Sequence, residues 1–182
     1  MNILRTSSIA TIAVALLFGL SSCSENTVQP TVTLGKTTLS EFLTNAGYAA
    51  WYNVGYDAFP ATADDAAFDA AVSRISARLN AGEGDYTMLL VVKPTCGCEH
   101  TQSEMPKVMK TLDEAGFNHD NIEVWITDRP LNGIDDIKDV YQITAAPTFL
   151  LVKDDVEMGR IVVEEISVGA EISTSLADIF ES

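Results

Sequence analysis

The chain has 182 residues, 47% of them hydrophobic, which is enough for one ordinary domain with a real core and a short extension. No repeat of solenoid length recurs and no segment has low-complexity bias, so repeat arrays and a disordered body are excluded. The formal net charge of −15 repels phosphate backbones and no basic stripe offsets it, which argues against a nucleic-acid partner.

The chain opens on a short basic start, Met1 to Arg5, followed by an apolar stretch from Ile9 to Leu20. That stretch is too short to span a bilayer comfortably and reads as a signal peptide over residues 1–22. It ends at Leu20-Ser21-Ser22-Cys23, which resembles the lipobox of bacterial lipoproteins. The resemblance implies acylation of Cys23 with palmitate-type chains, a lipid bilayer as partner, and a place in the cell envelope, on either membrane. Arg5 is the only charge lost with the signal, so the mature chain carries −16. Residues 23–37 are polar without periodicity and read as a tether.

Thr38-Leu39-Ser40-Glu41 has the form of a capping box, and Phe42, Leu43, Ala46 and Ala49 continue at helical spacing, predicting a helix from Thr38 to about Tyr52. Trp51 to Pro60 is an aromatic segment leading to Asp64 and Asp65, which start a second helix with Phe68, Val72, Ile75 and Leu79 on its buried face. Together these make a helical extension over residues 38–84. Met88 to Val92 is a continuous apolar run, expected of a strand buried on both faces. After Cys98 a helix carries Met105, Val108, Met109 and Leu112 on one side and ends at Gly116, and a strand follows from Ile122 to Thr127. Ile134 to Tyr141 supplies a short helix. Thr148 to Val152 and Arg160 to Val163 form a hairpin across Asp154-Asp155, and Ile172, Leu176, Ile179 and Phe180 stripe a terminal helix.

That order, β-α-β-α-β-β-α, resembles the thioredoxin superfamily. The motif Ala145-Ala146-Pro147-Thr148-Phe149 matches the family's cis-proline loop, and Pro106 lies eight residues after Cys98, as the family's helix proline lies after its nucleophile. The resemblance implies a thioredoxin-like three-layer α/β/α sandwich over residues 85–182, with Cys98 as nucleophile and Ala146, Pro147 and Thr101 lining the substrate. The usual CxxC reads Cys98-Glu99-His100-Thr101, so threonine stands where the resolving cysteine belongs, and Val92 takes the place of the family's buried aspartate.

A cysteine at a helix start has its thiolate stabilised by free N–H groups and the helix dipole, and a protonated His100 adds to this while Glu99 opposes it. Cys96 is the other available thiol. Residues two apart reach about 7 Å in full extension and disulfide Cα separations cluster near ~5.5–6 Å, so Cys96 and Cys98 can bridge only if the chain bends at Gly97. Such a small ring stabilises no fold and favours exchange. The expected activity is thiol–disulfide exchange with protein thiols or disulfides, Cys98 attacking and Cys96 resolving; no cofactor is implied. Two alternatives remain open. Cys96, Cys98 and His100 suit Cu(I) or Zn(II), with His119 as a distant ligand or a surface histidine, and a site lacking the second family cysteine suits a domain that only binds a partner. Asp128-Arg129-Pro130 reads as a turn.

Overall fold

A computed structural model of the chain describes residues 32–62, 65–82, 84–94, 99–163 and 171–182. The signal peptide, Cys23, Cys96 and Cys98 lie outside these residues, as does Asp64. Among the described residues the fold is mixed α/β, with one five-stranded sheet and six α-helices.

The centre of the sheet is β2, Tyr86–Val92, the continuous apolar run that sequence marks as doubly buried. Its alternate residues feed two cores. Met88, Leu90 and Val92 face the larger one, and Leu89 and Val91 the smaller. On one side β2 pairs in parallel with β3, Ile122–Ile126. On the other it pairs antiparallel with β4, Thr148–Lys153, which pairs antiparallel with β5, Val156–Val162. The β4–β5 turn is Asp154-Asp155, both with positive φ, the conformation a two-residue hairpin needs and aspartate tolerates. β5 therefore begins at Val156, four residues earlier than its apolar pattern suggested.

The fifth strand falls inside the segment read as tether. Gly35–Thr37 forms β1 and pairs antiparallel with β3, with Lys36 bonded to Glu123 at 2.7 Å, so the ordered domain starts before residue 38. The first predicted helix is also divided. Thr38 caps α1, Leu39–Phe42, in a complete capping box, and Asn45 then caps α2, Ala46–Asp57, by accepting from the N–H groups of Gly47 and Tyr48. Asp65 caps α3, Ala66–Asn80, whose buried residues are Phe68, Ala71 and Ile75.

Helix α4, Glu99–Ala115, buries Thr101, Met105, Val108, Met109 and Leu112 along one face of the larger core. Helix α2 lies close against it: a Cβ on Gly55 would sit 2.9 Å from Pro106 Cγ, so only glycine allows this approach. Helix α6, Ile172–Phe180, completes that layer through Leu176, Ala177 and Phe180. The other sheet face carries α5, Asp135–Lys138, with Ile134, Ile137 and Ile143 packed on Leu89, Val91 and Leu150. The helical extension is thus part of the main core. Tyr52 is 6% exposed within it, and its ring lies against those of Trp51 and Tyr56.

Candidate functional site

Ligands of open α/β sheets gather beyond the carboxyl ends of the strands. Here that end is set by β2 and β3, which stop at Val92 and Ile126 and stay linked by the Thr127 N–H donating to Val92 O at 2.9 Å. Because β4 is antiparallel and Thr148 pairs with Val91, the residues just before β4 lie at the same end. The Ala146–Pro147 bond is cis. Ala146 and Pro147 are both buried, Pro147 O accepts from the Val163 N–H at 3.2 Å, and Thr148 Oγ1 donates to Ala145 O at 2.8 Å. Pro147 owes no N–H to the sheet, which suits it to a strand start.

The segment joining β2 to α4 carries Cys96 and Cys98, both outside the described residues, and its two flanks are tied together. The Lys93 N–H donates to Thr101 Oγ1 at 3.2 Å. Thr101 is fully buried, so the side chain expected to line a substrate instead fastens the first turn of α4 to the end of β2. Val92, the last residue of β2, is fully buried among apolar neighbours. His100 is exposed on the first turn of α4.

A polar cleft of about 250 Å³ opens beside Ala146, lined among others by Lys93, Asp128, Arg129 and Thr144. Asp128 shapes it by accepting from both the backbone N–H and the side-chain amide of Asn132, at 2.9 and 2.8 Å, and these bonds hold its carboxyl below the usual range. Lys93 and Arg129 are cations that periodicity could not single out. The signal available was position, since each follows closely on the end of a parallel strand. Asp128-Arg129-Pro130 is therefore both a turn and a wall of the cleft.

His119 is exposed and contacts Asp113. Asp113 lies fourteen residues beyond Glu99 in the same helix, about 21 Å along the axis at 1.5 Å per residue. The surface reading of His119 fits this position, and the distant-ligand reading does not. Among the described residues no three His, Cys, Asp or Glu side chains are placed to hold a metal, and no helix is long and apolar enough to cross a membrane.

No known protein-family profile matches the chain, and no curated protein does. Solved structures similar in fold include the following two. A protein of unknown function from Pseudomonas aeruginosa matches with a TM-score of 0.50 and 15% identity, over 79% of this chain and 89% of its own. An HIV epitope-scaffold matches with a TM-score of 0.52 and 15% identity, over 79% of this chain and 90% of its own. Among the described residues the class so defined is a mixed α/β domain with a polar cleft at the carboxyl end of the parallel β2–β3 pair.

Proposed function

We propose that this is a thioredoxin-like, lipid-anchored thiol–disulfide oxidoreductase of the bacterial cell envelope. The observation that carries the reading is the placement of the cis Ala146–Pro147 bond ahead of β4 at the same end of the sheet as the end of β2, after which the sequence carries Cys96 and Cys98. Pro106, buried inside α4, stands eight residues after Cys98 in the sequence. Sheet order β1-β3-β2-β4-β5, with helices on both faces, is compatible with the same family.

In the proposed reaction the Cys98 thiolate attacks one sulfur of a client disulfide. A Cys98–client bond forms, and the other client sulfur leaves as thiolate and takes a proton from solvent. The Cys96 thiolate then attacks Cys98 Sγ and releases the second client thiol. The client has gained two electrons and the protein holds a Cys96–Cys98 disulfide, which a dithiol reductant of the envelope must reopen. Exposed His100, when protonated, favours the Cys98 thiolate, and the cleft beside Ala146 receives client backbone.

The test is trapping. Cys96→Ser should accumulate mixed disulfides with client proteins, visible as bands lost on reduction, because attack proceeds and resolution cannot. Cys98→Ser should trap none. Absence of adducts from both variants, with equal slow alkylation of Cys96 and Cys98, would leave a binding module in place of an enzyme. The anchor is tested separately: Cys23→Ala should move the protein out of the membrane fraction, and undiminished membrane recovery would refute lipidation.

A further inference from the structure

A concavity of about 780 Å³ lies at the opposite end of the sheet from the proposed thiol site, where β3 begins at Ile122 and α1, α2 and the end of α4 meet. Its volume is in the range of small-molecule sites. Leu39, Leu43 and the rings of Tyr52 and Tyr56 give it apolar walls, while Asp57, Asp113 and Asp120 bring three carboxylates.

The polar groups are unevenly satisfied. Asp113 accepts from the Tyr56 hydroxyl at 2.7 Å and contacts His119, yet each carboxylate oxygen has room for a further donor. The side chains of Asp57 and Asp120 make no hydrogen bond or ion pair among the described residues. Tyr52 is the telling residue. It is more than nine-tenths buried and lines the cleft, and its hydroxyl has no hydrogen-bond partner among the described residues. Burial, with the Asp113 charge adding to it, pushes the Tyr52 hydroxyl well above the usual tyrosine range, so it stays neutral and can accept as well as donate. Among the described residues the fully enclosed hydroxyls without a partner are those of Tyr48, Tyr86 and Ser173, so that of Tyr52 is open to whatever enters the cleft.

We propose that this cleft binds a small organic ammonium ion with an apolar or aromatic body. An ammonium supplies three donors and a positive charge, which the free carboxylates and the Tyr52 oxygen accept. The apolar body lies against Leu39, Leu43 and the part of the Tyr56 side chain that lines the cleft. An anion meets three carboxylates there, and a neutral isostere gains nothing from them.

The test uses full-length protein in detergent, titrated with 2-phenylethylamine and with the neutral 2-phenylethanol, and followed by NMR through the backbone amides of Asn53 and Asp57. The amine should saturate these shifts and bind at least about tenfold more tightly than the alcohol, the effect of one charge-assisted hydrogen bond. Tyr52→Phe and Asp57→Asn should each weaken the amine by a similar factor. Asp57 is exposed, so its change leaves folding intact. Cys98→Ser should leave the affinity unchanged, which separates this site from the thiol chemistry. Equal affinity for amine and alcohol, no saturation, or undiminished binding in both variants would overturn the proposal. Tighter binding of Nα-acetyl-lysine amide than of 2-phenylethylamine would overturn the small-amine assignment in favour of a protein lysine.

Discussion

Phe149→Ala is expected to lower the stability of the domain by about 3–5 kcal/mol, the range for emptying a buried phenylalanine site. Phe149 is 1% exposed on β4, paired with Leu90 on one side and Ile161 on the other, and it points into the larger core. Strands fixed on both sides leave little freedom for the cavity to collapse, which places the loss toward the upper end. In urea the midpoint should fall by about 2 M. Val156→Ala, at a position 64% exposed at the start of β5, serves as the control and should shift it little. A Phe149→Ala midpoint equal to wild type would show that β4 is not central.

The second large effect is expected at Gly133, where φ is +83 and an added Cβ would stand 2.5 Å from Leu34 Cβ and 2.9 Å from Gly35 N. Gly133→Ala should cost about 1–2 kcal/mol for the left-handed backbone and a further ~1–3 kcal/mol for overpacking against β1. Gly82 separates the two contributions, because its φ is +65 and an added Cβ there would meet nothing within 4 Å. Gly82→Ala should therefore show the backbone cost alone. Thermal unfolding ranks the two variants, and hydrogen exchange at Gly35–Thr37 should accelerate in Gly133→Ala only. Equal losses in both would mean that contact with β1 contributes nothing.

Elements that bury a full apolar stripe were legible from sequence. The unbroken run ending at Val92 marked β2, and Met105, Val108, Met109 and Leu112 marked α4. Thr101 fits inside by the same periodicity, since it lies one turn before Met105, but its reading as a substrate contact followed the family motif instead. The break between α1 and α2 was concealed because Phe42, Leu43, Ala46 and Ala49 keep helical spacing across it. Asn45 imposes it through a capping bond that hydrophobic patterning does not record. Strand β1 is three residues long and carries no alternation, so only its partner β3 reveals it. At the candidate site the cis-proline loop was visible as a motif. Lys93 and Arg129 carry no motif of their own, and topology alone brings their two loop starts together.

The pairing of β1 with β3 also bears on solubility. Ile122-Glu123-Val124-Trp125-Ile126 is short, rich in β-formers and apolar but for Glu123, and without β1 it would be an edge strand with its backbone donors and acceptors open. Gly35–Thr37 occupies that edge and adds a lysine whose ammonium bonds Glu123 and faces the Trp125 ring at 5.8 Å. The segment acts as a sacrificial rim: a chain trimmed to begin at Thr38 would keep its core and its clefts, yet present a sticky ribbon to the next molecule.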